Sequence, residues 1–240
     1  MIEVMKILKW RRVAVVLGAL VLVILWLVFN PVSWEKTFTP DSNVAVEVDR
    51  SDETLAINVL EKLEVKGRAP KTGYKREEFY KNWPTVDGCN LRQRIIRREF
   101  GESAVLNGCD VVAGEFEEPY TGEYKKFSSK EEISKGIQID HVVALSDAWQ
   151  KGAQYMDKTV RYEMATDPLN LLAVDGPANQ GKSDGDAATW LPANKKFRCQ
   201  YVARQVSVKY KYKLWVTEAE KTAILNVLNT CPSERAVINI

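Results

Sequence analysis

Apolar and polar positions divide the chain into an uncharged N-terminal run and a longer part of mixed pattern. The run from Val13 to Phe29 has no charged residue, and as a helix it spans about 26 Å, close to the shortest length that crosses a bilayer. The basic residues before it favour a cytoplasmic N-terminus with the remainder outside: Lys6, Lys9, Arg11 and Arg12. Residues 1–30 are therefore predicted to be a single-pass transmembrane signal anchor. The alternatives are a cleaved signal peptide, which would give a secreted protein, and a buried helix of a soluble fold, which the lack of a polar face disfavours.

Residues 31–72 are more polar and contain two short patterned stretches. "VAVEV" alternates like a strand, and "ETLAINVLEKLEV" repeats apolar residues at helical spacing. We predict a linker with a short amphipathic element over residues 31–72. Residues 73–240 are then predicted to form one folded domain, because their number is sufficient for a continuous core.

Periodicity within residues 73–240 predicts helices at both ends and strands between them. "CNLRQRIIRREFG" reads as a helix that ends at Gly101, with Leu91, Ile95 and Ile96 on its apolar side. "VVAGEFEEPYTGEYKKF" alternates like a hairpin and is interrupted at Pro119 and Gly122. The C-terminal region is helical, and a capping box from Thr217 to Glu220 opens its last helix.

The stretch "QIDHVVALSDAW" contains His141, the only histidine in the chain. Asp140 and His141 end an apolar-alternating strand, and residues 142–165 read as a mostly helical insertion. Asn170 then precedes a short strand over residues 171–174. A turn is predicted at Asp175, Gly176 and Pro177, with Asn179 near the start of a helix. The order strand, strand, helix is that of a ββα-metal site.

The net charge of the chain indicates no partner, but one segment has a local excess of basic residues. The chain has 34 Lys and Arg against 32 Asp and Glu, and removing the N-terminal segment leaves 30 against 31, so bulk charge does not favour nucleic-acid binding. Residues 187–217, however, contain basic residues and no acidic one, interleaved with Phe197, Tyr201, Tyr210 and Tyr212: Lys195, Lys196, Arg198, Arg204, Lys209, Lys211 and Lys213. This segment either follows a phosphate backbone or packs its aromatic residues into the core while its lysines are solvated, and the sequence favours neither.

The four cysteines form an even set in a chain whose exported topology permits disulfides. Three pairings are open, and sequence proximity favours Cys89 with Cys109 and Cys199 with Cys231. A zinc site is the weaker alternative, because no CxxC pair is present.

Several separated motifs occur in order and together resemble a known family. "IDHVVALSDAW", "DPLNLLAVDGPANQ", "PYTG" and "RCQYVARQV" resemble exported bacterial HNH-type (His-Me finger) nucleases, whose domain also ends modification-dependent restriction enzymes of the GmrSD type. The resemblance covers residues 74–232. Asp140-His141, the two asparagines that follow and "GKSD" are also similar to the HNH domain of RNA-guided CRISPR nucleases.

The sequence departs from the family pattern at two places. After the first cysteine, the family has "TR" and then an acidic residue, whereas this chain has Leu91-Arg92-Gln93-Arg94. The third HNH position is Asn179 rather than histidine, a known variant that still supplies an oxygen ligand.

The resemblance implies an α+β fold with a ββα-metal core between helices, and it implies roles for four residues. His141 would be the general base, and Asp140 and Asn179 would bind one divalent metal ion. Asn170 would be an orienting residue that ties the loop between the strands to the histidine. An unperturbed imidazole, with a pKa near 6.5, can accept a proton from water at neutral pH.

The chemistry of the implied ligands favours Mg²⁺ or Mn²⁺, since one carboxylate and one amide oxygen form a hard, sparse oxygen site. Lys182 and Gln180 are weaker candidates for phosphate contact, and Asp184 and Asp186 read as a polar loop or a helix cap rather than as further ligands. Other candidates for substrate contact are basic residues: Arg92, Lys195, Arg198 and Arg204.

The predicted function is that of a membrane-anchored or secreted, metal-dependent endonuclease acting on DNA, with low sequence specificity because no groove-reading motif is present. Two alternatives stay open. One is a catalytically silent DNA-binding or DNA-uptake surface module, and the other is a phosphodiesterase for RNA or small nucleotides.

Overall fold

The structure of the chain is a computed structural model, and it describes residues 52–238. The predicted anchor over residues 1–30 and the "VAVEV" strand lie outside this part of the chain. Among the described residues, no helix combines the length and the apolar content that crossing a bilayer requires.

The described residues form a mixed α+β fold, as the sequence predicts. The helices are α1 Ala56–Glu61, α2 Leu91–Phe100, α3 Lys130–Gly136, α4 Leu145–Gln150, α5 Lys158–Thr166, α6 Gly176–Lys182, α7 Arg198–Lys211 and α8 Glu218–Leu228. The strands are β1 Thr85–Val86, β2 Cys89–Asn90, β3 Val105–Asn107, β4 Asp110–Glu117, β5 Tyr124–Phe127, β6 Ile137–His141 and β7 Leu171–Asp175. They pair antiparallel in the orders β1-β2, β3-β4-β5 and β6-β7.

Helix α2 begins and ends at the residues that the sequence pattern predicts. The side chain of Asn90 accepts a hydrogen bond from the backbone of Arg92 and so caps the N-terminus. Gly101 follows the helix with a φ of 55°, a left-handed conformation that glycine adopts without steric cost. The predicted hairpin is also present as β4 and β5, with Pro119 and Gly122 between the strands.

The β6–β7 hairpin lies between two layers of helices. Because side chains alternate along a strand, Ile137, Ile139 and His141 point to one face and Gln138 and Asp140 to the other. The first face packs with the apolar side of α2 in a core cluster that includes Ile95, Ile96, Leu171 and Ala173. The second face joins a cluster with α1, α7 and α8 that includes Leu172, Val174, Val202 and Val206.

Helix α6 follows the hairpin without the turn that the sequence predicts at residues 175–177. Asp175 ends β7 and its side chain accepts a hydrogen bond from the backbone of Ala178, so it acts as the N-cap of α6. Pro177 lies in the first turn, where a backbone N–H would have no acceptor within the helix, so proline loses no helical hydrogen bond there. Asn179 is therefore within α6 rather than at its start.

The amphipathic element within residues 31–72 is present as α1, and it is part of the packed core. Ala56, Val59, Leu60 and Leu63 are buried in the same cluster as α7 and α8. The chain after α1 also pairs with the domain, through a parallel bridge from Val65 to Val216. The described part of the predicted linker is thus continuous with the folded body, while the boundary at residue 73 stays a prediction.

Both predicted disulfides are confirmed. Cys89 is bonded to Cys109 and Cys199 to Cys231. The first joins the start of α2 to the β3–β4 turn, and the second joins the start of α7 to the chain after α8. The described residues contain no free cysteine.

A group of paired ionised side chains, buried except for Arg68, connects five parts of the fold. Lys151, the residue that follows α4, lies 2.7 Å from carboxylate oxygens of Asp147, Asp186 and Glu220. Lys209 of α7 and Arg68 complete the group, through Glu220 at 2.9 Å and Asp186 at 2.6 Å respectively. Its three carboxylates and three cations balance in charge, and this pairing offsets the free-energy cost of removing the charges from water.

Two residues of this group have partners that the sequence pattern did not predict. Asp186 is not a simple loop residue, although it does cap the turn that contains Ala188. Glu220 does not complete the predicted capping box: Thr217 accepts a hydrogen bond from its backbone, but its carboxylate is paired with Lys151 and Lys209. Asp184, by contrast, is exposed and paired with Lys71 at 3.0 Å.

Candidate functional site

Asp140 lies near the end of β6 with its carboxylate facing α6, and it is 5% exposed. Its Oδ1 accepts a hydrogen bond from Lys182 Nζ at 2.9 Å, and its Oδ2 accepts one from the hydroxyl of Tyr120. Burial raises the pKa of Asp140, although Lys182 and Tyr120 oppose the change. Both oxygens of the predicted metal ligand therefore have protein partners.

Lys182 is the last residue of α6, and its side chain is completely buried. Besides Asp140, its ammonium donates a hydrogen bond to the backbone carbonyl of His141 at 2.9 Å. Lys182 thus joins both members of the Asp-His pair from one position on the helix. The residue also lines an open cavity of about 540 Å³ together with Gly181, Asp184 and Trp190.

His141 points to the opposite face of the hairpin and is 4% exposed. Its ring lies nearly parallel to that of Trp83, with a centroid distance of 6.0 Å, and 5.8 Å from the ring centroid of Tyr80. The ring nitrogen Nε2 is 2.9 Å from the carbonyl oxygen of Ala165. These neighbours cover the imidazole.

The covered position makes His141 neutral. Burial lowers its pKa from the ordinary value to about 3; the charges of Arg76 and Lys182 contribute, and the hydrogen bond to Ala165 opposes them. A carbonyl oxygen only accepts, so the proton of the neutral ring is on Nε2 and the lone pair is on Nδ1. The ring is thus able to accept a proton at neutral pH, but it is a weaker base than an unperturbed imidazole.

Asn170 is buried immediately before β7 and binds the chain that follows His141. Its side-chain oxygen accepts a hydrogen bond from the backbone of Val143 at 2.8 Å, and its backbone oxygen accepts one from Val142 at 2.8 Å. Its amide nitrogen donates to the carbonyl of Met164 at 3.3 Å. These contacts support the predicted orienting role, because they hold the chain that directly follows the histidine and the residue before Ala165, whose carbonyl contacts the ring.

Asn179 faces β6 at Gln138, two residues before Asp140. Its Nδ2 donates to Oε1 of Gln138 at 2.9 Å, which leaves its amide oxygen as the atom for a ligand. Gln138 and Asp140 are two positions apart on one strand face, roughly 6.6 Å along the strand. In the described arrangement, Asn179 therefore lies opposite Gln138, and Lys182 lies opposite Asp140.

These residues do not fit a divalent metal ion as they are arranged. A lysine ammonium already neutralises Asp140, and the tyrosine hydroxyl occupies its second oxygen. Within residues 52–238, no group of three or more His, Cys, Asp and Glu side chains is placed to hold a metal ion. An ion at Asp140 would first require Lys182 to turn away.

The predicted substrate contacts are dispersed. Arg92 donates to the carbonyl of Ile137, and Arg198 to that of Pro192. Arg204 donates to the carbonyls of residues 168, 169 and 171, at the outer edge of β7. Gln180 and Lys195 are exposed. The three arginines thus bind backbone carbonyls, which are neutral and leave the guanidinium charge uncompensated.

The basic segment of residues 187–217 is not one continuous surface. Lys209 is completely buried in the ion cluster, and Tyr201 is completely buried in the core. Tyr212 is also buried, while Lys195, Lys196, Lys211 and Lys213 are exposed. The packing interpretation is therefore correct for part of the segment.

Comparison with known proteins identifies the family. The family described as "GmrSD restriction endonucleases, C-terminal domain" matches residues 91–227, which include β6, β7 and α6. The chain belongs to this family. A protein of the fungus Arthroderma benhamiae, described as an uncharacterized secreted protein, is 36% identical over 179 residues, which are 73% of this chain and 84% of the relative. No solved structure matches the chain.

Membership of the GmrSD C-terminal domain family supports the nuclease resemblance in its coarser form. The fungal origin of the relative means that a restriction to bacteria is not supported. The α+β class is confirmed, while the assignment of β6, β7 and α6 to an HNH core stays a prediction.

Sequence reasoning did not identify Tyr120, Gln138, Tyr80 and Trp83 as neighbours of the site. Tyr120 lies in the "PYTG" motif, which was recognised without a role for its tyrosine. Gln138 shares a strand face with Asp140, so the alternation of β6 was a usable signal. Tyr80 and Trp83 are distant in sequence and carried no such signal.

Proposed function

We propose that the chain is an exported nuclease that hydrolyses phosphodiester bonds of DNA with low sequence specificity. The observation that carries this proposal is the match to the GmrSD C-terminal domain over the segment in which Asp140 and His141 end a strand beside α6. The secreted relative supports export, either to the membrane surface or to the medium.

His141 is the proposed general base, and Nδ1 is the atom that accepts the proton of the attacking water. Lys182 binds the carbonyl of His141, Asn170 binds the backbone that follows it, and Ala165 fixes the tautomer of the ring. A phosphodiester beside the ring would favour the imidazolium form, because a nearby anion raises the pKa of a histidine. The neutral ring then becomes a more effective base when substrate is bound.

Substrate access requires a movement of the aromatic cover, which consists of Tyr80 and Trp83. The ring of His141 is too little exposed for a polynucleotide to reach it in the described arrangement. We therefore assign this arrangement to a resting state of the enzyme.

The first prediction is that His141→Gln abolishes cleavage of plasmid DNA by the full chain without unfolding it. Glutamine keeps an N–H donor for the carbonyl of Ala165 but has no group that accepts a proton, so only the base is lost. Because general-base catalysis contributes about 10²- to 10⁴-fold, the rate should fall by at least 100-fold. The measurement is nicking of supercoiled DNA, with the far-ultraviolet circular dichroism spectrum as the folding check.

Asn226→Ala is the matched control, since this exposed residue lies on α8 and outside the contacts of Asp140 and His141. Undiminished cleavage by His141→Gln would remove the general-base assignment. A substrate panel of DNA, RNA and small phosphodiesters distinguishes a nuclease from an RNA or nucleotide phosphodiesterase.

Metal dependence is a separate hypothesis, with Mg²⁺ or Mn²⁺ as the expected ion, and no catalytic step is derived from it. If one ion binds Asp140 and Asn179, it competes with the ammonium of Lys182. The second prediction is therefore that Lys182→Met tightens Mn²⁺ binding by about tenfold or more, while Asp140→Asn abolishes it. Isothermal titration calorimetry of the full chain measures both effects, and equal affinities in all three chains would place any ion elsewhere.

The covered His141 also favours a second candidate function, that of a catalytically silent DNA-binding or DNA-uptake module. Such a module would bind DNA in an electrophoretic shift assay and leave it intact with or without added Mg²⁺ or Mn²⁺. Cleavage by the wild type that His141→Gln lacks would exclude it.

A further inference from the structure

A cavity of about 430 Å³ lies beside the exposed face of α2. Its lining consists of Gln93, Arg94, Arg97, Arg98, Gly101 and the disulfide between Cys89 and Cys109. Three arginines and no carboxylate line it, although the nuclease proposal assigns no role to any of these side chains. We call it the arginine cavity.

The arginines converge because of their spacing on a helix. Arg94 lies one turn before Arg97 and Arg98, so the three side chains share one exposed face of α2. The disulfide forms a second wall of the cavity, because it joins the start of α2 to the β3–β4 turn. The site is thus built on a helix and a covalent crosslink.

The charge in the arginine cavity is compensated only in part. The side chain of Arg97 has no hydrogen bond or ion pair within residues 52–238. Arg94 pairs with Asp87, whose side chain is 78% exposed, and Arg98 pairs with Glu99. The Arg94–Asp87 pair is exposed and contributes little free energy, whereas Glu99 is only 20% exposed and makes two hydrogen bonds to Arg98. An anion in the cavity therefore meets the unpaired guanidinium of Arg97 and the weakly paired one of Arg94.

Gln93 adds a neutral donor to this set. Its Oε1 accepts a hydrogen bond from the backbone of Val111 at 3.0 Å, so the amide group is fixed and its Nε2 is left for a ligand in the cavity that Gln93 lines. Guanidinium and amide N–H donors around one cavity match the acceptor oxygens of a phosphate group.

The arginine cavity also leads towards the hairpin. Arg98 lines both this cavity and a larger one of about 720 Å³, which Arg204 lines as well. Arg98 and Arg204 both donate to the carbonyl of Leu171, at 2.6 and 2.8 Å, and Leu171 is the residue paired with His141. Three carboxylates line the larger cavity: Glu99, Glu117 and Glu234. We therefore assign the anion site to the arginine cavity alone.

We propose that the arginine cavity binds a backbone phosphate of the polynucleotide substrate at a distance from the cleaved bond. The proposal rests on the nuclease function proposed above, because it takes the substrate class from it. The site positions the strand and does not read bases, which agrees with low sequence specificity.

The test uses the full chain carrying His141→Gln, so that the probe is not consumed. Binding of a fluorescein-labelled DNA oligonucleotide is followed by anisotropy at several salt concentrations. Arg94→Gln combined with Arg97→Gln should raise the Kd about tenfold and lower the slope of log K against log salt by about 0.7 to 0.9 per lost contact. Arg97→Lys should have a smaller effect, because it keeps the charge and loses only the forked donor.

Lys135→Gln is the matched control, since it removes one exposed cation from α3 that pairs with Glu131. We expect its Kd within twofold of the parent and all thermal midpoints unchanged. An unchanged Kd and slope in the double arginine variant would overturn the site. An equal loss in Lys135→Gln would overturn it too, since the effect would then come from net charge.

The last part of the test is competition between inorganic phosphate and the labelled oligonucleotide. If it displaces the oligonucleotide at similar concentrations of phosphate groups, the ligand is a free anion and the proposal is wrong. Cleavage by the wild type is measured separately. Arginine-dependent binding without cleavage leaves the site intact and removes the nuclease function, whereas cleavage with arginine-independent binding does the reverse.

Discussion

At the scale of single residues, His141 and Asp140 show how burial determines protonation. They are adjacent in the chain and point to opposite faces of the hairpin, and both are almost completely buried. Burial lowers the pKa of the histidine and raises the pKa of the aspartate, since it disfavours the charged form of each. Lys182 provides a partner for the aspartate, but His141 has no carboxylate partner among the described residues.

This difference gives a third prediction, on the pH dependence of stability. Between pH 6.5 and about 3 the unfolded chain protonates His141 and the folded chain does not, so the unfolded state binds more protons. The contribution of His141 to stability is therefore fully present above pH 6.5 and falls with decreasing pH, by about 1.4 kcal/mol per unit. Urea unfolding between pH 7.5 and 4.5 measures it.

Carboxylates also titrate in this range, so the informative quantity is the difference from His141→Gln. The wild type should lose stability more steeply than this variant below pH 6.5. Parallel profiles would show that the imidazole is not buried in its neutral form.

At the scale of elements, local pattern predicts much of the fold. The apolar spacing of residues 91–100, the alternation along β4 and β5, and the apolar strand β7 are all present as predicted. Local pattern fails where a side chain has a distant partner. Asp175 looks like a turn residue and is a helix cap. Tyr120 and Asp140 meet across 20 positions because the chain brings the "PYTG" turn under the hairpin.

Helix α1 illustrates the same limit and gives a fourth prediction. A chain that begins at residue 73 lacks the apolar residues that α1 buries against α7 and α8. Because each large buried side chain contributes about 1.5–3 kcal/mol, we expect it to lose at least about 5 kcal/mol of unfolding free energy or to be insoluble. Urea unfolding compares it with a chain that begins at residue 52.

The chain that begins at residue 52 is the control, because it keeps all the described contacts of α1. Equal unfolding midpoints for the two chains would show that α1 is dispensable and that the domain boundary at residue 73 is correct.

At the scale of the whole molecule, the ion cluster and the disulfides connect parts that the sequence separates widely. Arg68 pairs with Asp186 across 118 positions, and Lys151 pairs with Glu220 across 69. No local pattern in the sequence indicates such pairs, because the residues next to a lysine in the chain do not show whether its side chain is buried. The disulfides were predictable because the predicted export permits them and proximity in sequence favours one of the three pairings.

The bond between Cys89 and Cys109 has a consequence for the cell that makes the chain. Thiols stay reduced in the cytosol, so this wall beside Arg94 and Arg97 closes only after export. If the chain is exported and the arginine cavity binds phosphate as proposed above, a newly made copy would bind a polynucleotide less tightly before this bond forms than after it.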